Sequence, residues 1–275
     1  SITNRSVNGV PRQNVQGHWR WILPVICLVP VILGFVLPVI ILISHTFSQG
    51  FDHLPVVGAA ITNTVIAAGL GVCVVMICAL IVGVIAFYIP SAIGRPLASV
   101  SATGYAFPGT VLALGVLAAV SMIDQGWNWI GQTLFGASWG GLLGGGLVML
   151  IFAYLIRFQA VGLGSVRAAL ERMPDSLVPA SRVMGYGFMP SMFRIVLPLI
   201  SPAILAGGLL VFVDIMKELP MTLLLRPFDF NTLAIITYQY AHDELIELAA
   251  LPALMIVLTG LLPVIIVQHY LSRDQ

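Results

Sequence analysis

Residues 60–89 read AITNTVIAAGLGVCVVMICALIVGVIAFYI and contain no charged side chain. A bilayer core about 30 Å thick is crossed by roughly 20 apolar residues in a helix, so this stretch predicts a membrane-spanning helix. The rest of the chain has the same character: 59% of its 275 residues are hydrophobic, 8% are charged, and the mean hydropathy is +1.03. A soluble domain carries roughly a quarter charged residues. The composition therefore excludes a water-facing globule.

Six segments reach or approach the length of a membrane span. They lie near residues 21–44, 60–89, 97–123, 140–160, 197–217 and 247–271. The predicted fold is all-α, with six transmembrane helices in a domain 21–275 that follows a polar leader, 1–20. Pro24, Pro30 and Pro38 predict a bent first helix, because neighbouring helices can satisfy the carbonyls that proline frees in a membrane.

Charge distribution predicts the orientation of these spans. An even number of spans places both termini on one side of the membrane, and ten of the twelve basic residues would lie on that side. They are Arg5, Arg12, Arg20, Arg95, Arg157, Arg167, Arg172, Arg182, Arg194 and Arg273. By the positive-inside rule, we expect a cell (inner) membrane protein with cytoplasmic N- and C-termini.

Several classes of site are disfavoured by the residue types present. The arginines are scattered singly, which gives no basic face for nucleic acid. Lys217 is the only lysine and follows Met216, so the chain has no phosphate-binding loop of the G-x-x-x-x-G-K-[ST] type. The cysteines Cys27, Cys73 and Cys78 are odd in number and lack a C-x-x-C, which supports neither a disulfide framework nor a zinc site. Because the chain lacks this phosphate-binding loop, any ATP chemistry must belong to another chain.

A glycine-rich stretch around residues 136–146 has two interpretations. The spacings Gly140/Gly144 and Gly141/Gly145 favour close helix packing in lipid. Ser138 lies in a G-x-S-x-G pattern, which an intramembrane hydrolase could use, but a serine nucleophile needs a nearby base. Since the histidines fall in the leader, loops and span ends, helix packing is favoured.

The fourth loop, 161–197, is far longer than a turn between packed helices requires. Within it, Asp175 and Ser176 could cap a short helix that ends at Gly185. That helix would carry an apolar stripe of Leu177, Ala180, Val183 and Met184. The pattern leaves open whether the helix rests on lipid headgroups or is gripped by a cytoplasmic partner.

The spacing from Gly185 to Ile195, Leu197 and Pro198 resembles the G-x9-I-x-L-P loop signature of binding-protein-dependent ABC importer permeases. That family usually has Glu-Ala-Ala before the glycine, whereas this chain has Pro179-Ala180-Ser181. The resemblance implies that 175–190 is a coupling helix seated in an ATPase subunit, present in two copies, which carries the ATP and magnesium. The implied coupling residues are Leu177, Ala180, Ser181, Met184, Gly185, Ile195, Leu197 and Pro198.

A second resemblance concerns the transported solute. The sequences at 104–111 (GYAFPGTV), 217–227 (KELPMTLLLRP), 230–234 (FNTLA) and 247–252 (ELAALP) are similar to those of ferric-iron importer permeases. The similarity runs from about residue 60 to 271 and implies an extracytoplasmic iron-binding protein as partner. It also implies that the chain is one half, the C-terminal half, of a permease whose other half is fused, separate or an identical copy. Sister permeases for thiamine, phosphonate or another small solute remain alternatives, and a secondary transporter is less favoured because the spans carry few charges.

Ferric iron is a hard cation that prefers oxygen donors, so acidic residues near the spans are candidates for its path. Asp214 lies inside an apolar run and either lines the path or forms a structural pair with Lys217. Glu218 is interpreted first as a structural ion pair beside Lys217 and second as a path residue. The cluster of Tyr238, Tyr240, Asp243 and Glu244 either docks the binding protein or forms a solvated loop. No closed metal cage is expected.

Overall fold

The computed structural model describes residues 17–49, 53–88, 94–144, 146–174 and 176–273, and within these residues the chain is helical and has no strand. Five helical runs are long and apolar enough to cross a membrane: Trp19–Ser48, Leu54–Tyr88, Gly109–Phe135, Leu147–Glu171 and Phe188–Met216. A sixth helix, Ile246–Arg273, begins with the shorter apolar stretch Ile246–Leu261. The all-α fold predicted from composition is confirmed.

Twelve α-helices are numbered here in chain order within the described residues. They are α1 (Trp19–Val31), α2 (Leu37–Gln49), α3 (Leu54–Tyr88), α4 (Gly94–Thr103), α5 (Gly109–Phe135), α6 (Leu147–Glu171), α7 (Leu177–Val183), α8 (Phe188–Ser191), α9 (Leu197–Met216), α10 (Pro220–Leu225), α11 (Leu233–His242) and α12 (Ile246–Arg273). The predicted leader lies outside the described residues as far as residue 16.

Two spans contain a π-helical turn, and each turn precedes a proline. The turn Ile32–Val36 joins α1 to α2 just before Pro38, and the turn Met192–Val196 joins α8 to α9 just before Pro198. Proline has no N–H to donate and its ring clashes with the carbonyl four residues earlier, and a π turn relieves that crowding. The prolines therefore distort the spans without interrupting them.

The predicted third span, 97–123, is not one helix. The chain forms α4, a 3-10 turn Gly104–Ala106 and then α5, with Phe107 extended at φ −81° and ψ 140°. The residue before a proline is disfavoured in the helical region, and Pro108 accounts for the break. Hydropathy did not reveal it because the residues at the break are themselves apolar.

The fourth span begins later than the predicted 140–160, and the loop that follows it is shorter at both ends than predicted. Helix α6 runs from Leu147 to Glu171 and therefore contains Arg157 and Arg167, which were assigned to the loop. The connecting segment is 172–187, shorter than the predicted 161–197, because the next span already begins at Phe188. We call residues 172–187 the α7 segment and the bundle end that carries it the α7 end.

The glycine-rich stretch is a loop rather than a helix-packing motif. The Asp124 carboxylate of α5 accepts backbone hydrogen bonds from Leu142 at 2.8 Å, Leu143 at 2.9 Å and Gly144 at 2.8 Å. An added Cβ at Gly144 would lie 2.5 Å from Asp124 Oδ2, so the lack of a side chain lets the backbone wrap an anion. Gly145 lies outside the described residues. The Ser138 hydroxyl donates to Asn128 Oδ1 at 3.3 Å.

Helices α3, α6 and α9 form the centre of the bundle and approach closely at small residues. An added Cβ at Gly162 of α6 would lie 3.1 Å from Val75 and 3.2 Å from Ala79 of α3. A Cβ at Gly207 of α9 would overlap Ser165 of α6. Close backbone approach at small residues is the usual way that helices associate in lipid.

The two ends of the bundle differ in what they carry. At the α7 end, the ring of Tyr88 at the close of α3 lies 5.8 Å from that of Phe188. At the opposite end, Val57 and Ala60 near the start of α3 bury against Leu233 and Ile236 of α11. Helices α10 and α11, which periodicity did not predict, thus lie between the fifth and sixth spans.

We predict that Gly104→Ala destabilises the protein, because a Cβ at Gly104 would overlap the backbone carbonyl of Ile156, which has little freedom to move. Overpacking of this kind costs about 1–3 kcal/mol. The matched control is Gly115→Ala, since a Cβ at this exposed position of α5 meets nothing within 4 Å. Replacing an exposed helical glycine gains roughly 0.5–1 kcal/mol. The melting temperature of the purified protein in detergent should fall for Gly104→Ala and hold or rise for Gly115→Ala; equal melting temperatures would contradict the packing.

Candidate functional site

The apolar stripe of α7 points away from the bundle. Val183 is 90% exposed and Met184 is 67% exposed, whereas Val178 and Ser181 of the same short helix are buried. Ala180 is exposed and Leu177 is half-buried. The helix therefore rests on the bundle through Val178 and Ser181 and presents a free apolar side. Ser181, proposed from the resemblance as a residue that faces a partner, instead lies at 0% exposure on the inner side.

A buried pair of hydroxyls fixes α7 against the start of the fifth span. Ser181 Oγ lies 2.7 Å from Ser191 Oγ of α8, and both side chains are almost fully buried. Val178 O lies 2.8 Å from Ser181 Oγ, and Gly187 O lies 2.9 Å from Ser191 Oγ. Because each hydroxyl has one proton, one serine donates to the other serine while that second serine donates to its own helix carbonyl. A buried hydroxyl that lost its partner would be costly, so this pair sets how α7 sits on α8.

The turn after α7 depends on glycine. Gly185 has a φ of +86°, a left-handed conformation that glycine adopts freely and other residues adopt at a cost. The Gly185 N–H bonds to Arg182 O at 3.0 Å, and the Tyr186 N–H bonds to Ser181 O at 3.0 Å, closing the helix in the manner of a C-terminal glycine cap. The predicted end of the helix at Gly185 agrees with the structure. The predicted cap is not: Ser176 makes no side-chain capping bond, and Asp175 lies outside the described residues.

The other residues of the loop signature lie at the start of the fifth span. Ile195 belongs to the π turn and Leu197 opens α9, both half-buried, and Pro198 is exposed. The signature residues therefore share no single surface. Gly185 sets the turn, while Ile195, Leu197 and Pro198 belong to the distorted entry of the span.

A second candidate site lies at mid-depth of the bundle. Arg157 lies about 15 Å along α6 from Leu147 and about 21 Å from Glu171, at about 1.5 Å per residue. Beside it are two interruptions of helical structure, Gly104–Pro108 before α5 and Lys217–Leu219 before α10. We call Phe107, Gly109, Arg157, Glu218 and Pro220 the mid-depth junction.

Arg157 contacts both interruptions. Its Nη1 donates to Phe107 O at 3.1 Å in the first, and its Nε lies 3.5 Å from Glu218 Oε2 in the second. The Arg157 side chain is 20% exposed and that of Glu218 is 7% exposed. Nε is buried and makes no hydrogen bond, so its attraction to the carboxylate is purely Coulombic. One cation thus joins three elements of the bundle.

Glu218 is also hydrogen-bonded to residues that follow it closely in sequence. Glu218 Oε1 accepts from the Met221 N–H at 3.1 Å, and Glu218 O accepts from the Thr222 hydroxyl at 2.8 Å. Since that bond uses the single hydroxyl proton of Thr222, the Tyr154 hydroxyl donates to Thr222 Oγ1 across a 2.6 Å separation. Tyr154 and Thr222 are fully buried. A polar network therefore continues from the ion pair into the apolar core.

Gly109, the first residue of α5, closes the junction. An added Cβ there would lie 2.9 Å from Arg157 Nη1, 3.0 Å from Glu218 Oε1 and 3.4 Å from Pro220 Cβ. The backbone of α5 thus packs directly on the ion pair and leaves no space between them.

Asp214 and Glu218, the two acids predicted as path candidates, differ in their partners. Asp214 pairs with Lys217 at 2.8 Å, as one of the two interpretations expected. Glu218 is in an ion pair, which was the first of its two interpretations, but its partner is Arg157 of another helix rather than Lys217. Sequence reasoning assigned Arg157 to a cytoplasmic loop and so missed it. The available signal was an arginine ten residues into an apolar helix, a position where charge is by default paired or functional.

The aromatic and acidic cluster lies at the end of the bundle opposite α7. Tyr238, Asp243 and Glu244 are exposed there, while Tyr240 packs partly into the small core beneath α11. Glu244 has a left-handed φ of +62°, and His242 Nδ1 lies 3.5 Å from Asp243 Oδ1. Three of the four predicted docking residues are thus free to meet a partner.

Residues 75–275 match the family described as "Binding-protein-dependent transport system inner membrane component". The chain belongs to this family. Its match covers α4 to α12 and the last 14 of the 35 residues of α3, and so includes both the α7 segment and the mid-depth junction. The resemblance drawn from the loop signature is confirmed at the level of the family.

Among curated proteins, the chain is similar to the "Fe(3+)-transport system permease protein FbpB 2" of Haemophilus influenzae, with 29% identity over 212 residues. That alignment covers 77% of this chain and 39% of the relative. The chain therefore spans well under half the length of the relative it matches.

Solved structures of bacterial ABC transporters share the fold of this inner membrane component. A chain of a transporter for import of the acidic polysaccharide alginate matches with a TM-score of 0.66 and 17% identity, over 93% of this chain and 94% of that one. A chain of the MetNI methionine transporter in an inward-facing conformation matches with a TM-score of 0.52 and 17% identity, over 78% of this chain and 93% of that one. At this identity the likeness concerns the fold alone.

The two faces of α7 predict different thiol reactivity. In a variant with Cys27, Cys73 and Cys78 replaced by alanine, Met184→Cys should react with a water-soluble maleimide at least about tenfold faster than Ser181→Cys, because only the first side chain is exposed. The measurement is the rate of labelling of the folded protein in detergent. Both thiols should react equally after denaturation, which serves as the control. Equal rates in the folded protein would show that α7 does not sit as described.

Proposed function

We propose that this chain is one transmembrane half of an ATP-driven importer that carries ferric iron across the inner membrane. The observation that carries the proposal is the free apolar side of α7, presented by a rigid, glycine-capped segment in a chain that belongs to an importer family. Exposed apolar patches of this kind mark interaction sites.

The partner at α7 would be an ATPase subunit. Val183 and Met184 supply apolar contact, and the adjacent Arg182 supplies charge. The familiar Glu-Ala-Ala is replaced by Pro179-Ala180-Ser181, and of these three residues Ser181 is turned inward. Contact with the ATPase would therefore rest on the apolar side chains rather than on an acidic residue. ATP and magnesium would be bound by that subunit, and closure of its two copies would move α7.

The orientation follows from this partner. With the α7 end in the cytoplasm, the α11 end faces outward, where Tyr238, Asp243 and Glu244 are exposed to a binding protein. Both termini would then be cytoplasmic, in line with the arginine distribution. A second permease half, fused, separate or identical, would complete the path.

The cargo is inferred from the similarity to a ferric-iron permease and from the chemistry of the junction. Glu218 is a hard oxygen donor at mid-depth, and Asp214 lies about one turn earlier in the chain, near the end of α9. Transient contact suits transport, since a site that bound iron tightly would not release it.

The test is uptake of radiolabelled ferric iron by vesicles that contain the chain, its ATPase, its second half and its binding protein. We expect uptake that requires ATP and is lost when the ATPase is inactivated. Gly185→Ala should lower iron transported per ATP severalfold, because a left-handed φ costs an L-residue about 1–2 kcal/mol. Gly187→Ala is the matched control, since its φ is −71°. Uptake by the chain without an ATPase, or competition by thiamine or phosphonate but not by iron, would contradict the proposal.

A further inference from the structure

The mid-depth junction has the features of a closed barrier. Two interrupted helices meet there, and irregular backbone at membrane depth is tolerated only where it is buried in protein or lines a water-filled cavity. In this structure the ion pair at its centre is covered, because Gly109 packs on it and Glu218 is 7% exposed, whereas Tyr105 and Phe107 of the first interruption are exposed. The residues that would line a path are therefore in contact with one another.

The ion pair that closes the junction is incompletely satisfied. Arg157 Nε is buried without a hydrogen bond, and its separation from Glu218 Oε2 is 3.5 Å. Burying charges is costly unless the geometry is good and the remaining donors are paired. Water entering the junction would satisfy Nε, so the closed arrangement is held by a contact that hydration can replace.

The pair is also mechanically connected to the α7 segment. Arg157 lies on α6, which continues without interruption to Glu171 at the start of that segment. Movement of α7 would therefore reach Arg157 through one uninterrupted helix, while Glu218 lies on the loop that follows α9. A shift of α6 relative to α9 would separate the two charges.

We infer that the Arg157–Glu218 pair is a latch that closes the transport path at mid-depth and must open for cargo to pass. This inference rests on the proposed importer function. It assigns a role to Arg157 as a positioning residue, acting through Phe107 and Glu218 on both interrupted helices.

The test is the reactivity of a thiol placed behind the latch. Thr222 is fully buried beside Glu218, so in the cysteine-free full chain in membranes Thr222→Cys should be protected from a small water-soluble thiol reagent. Adding Arg157→Gln or Glu218→Gln should raise its labelling rate about tenfold or more.

The chain offers two controls. Arg167 and Glu171 form an exposed ion pair on the same helix, with side chains 67% and 53% exposed, so Arg167→Gln should leave the labelling of Thr222→Cys unchanged. Ser181→Cys, remote from the junction and fully buried, should stay protected in the Arg157→Gln background. If it became reactive too, the pair would be a general structural contact and the latch would be refuted.

The latch is also refuted if Thr222→Cys is reactive in the parent, or if it stays protected when either charge is removed. This readout needs neither iron nor ATP. If the unmodified complex showed no iron uptake, the proposed function would be overturned. The labelling result would still decide whether the pair acts as a latch.

Discussion

In a membrane interior, every backbone group that leaves a helix must find a partner within the protein. The chain interrupts two helices at mid-depth, before α5 and before α10, and Arg157 serves both interruptions. Its guanidinium supplies a donor to Phe107 O and a countercharge to Glu218, whose carboxylate in turn accepts from the Met221 N–H. The bundle therefore keeps irregular backbone at its centre because one half-buried cation and one buried anion are shared among three elements.

The α7 segment has one side fixed to the bundle and one side exposed. It is rigid where it meets the bundle, through the buried hydroxyls of Ser181 and Ser191, and free where it faces outward, through Val183 and Met184. Helix α6 joins this segment to the mid-depth junction without a break. The two unusual regions of the chain, the mid-depth junction and the α7 segment, are thus connected by one uninterrupted helix.

The sequence predicted the fold class well because composition and apolar run length reflect the strongest physical constraint, burial in lipid. The turn at Gly185 was also predictable, because it depends on a local feature of the sequence, a glycine between two amphipathic stretches. Helix breaks such as that at Phe107-Pro108 were not predictable, because the residues at the break are as apolar as those of a membrane span. The partners of Glu218 and Ser181 depend on tertiary packing, and neither Arg157 nor Ser191 stands near them in sequence. The glycine-rich loop was misassigned because its organising group, the Asp124 carboxylate, belongs to another element.

The mid-depth junction depends most directly on the energetic coupling between Arg157 and Glu218. A double-mutant cycle on the unfolding free energy, with Arg157→Met, Glu218→Gln and both together, measures that coupling. Removing one member of a buried ion pair costs about 3–5 kcal/mol, because an uncompensated charge is left behind. We therefore expect each single variant to be strongly destabilised and the double variant to lose far less than their sum. Additivity of the two losses within about 0.5 kcal/mol would show that the charges act independently and would contradict the account.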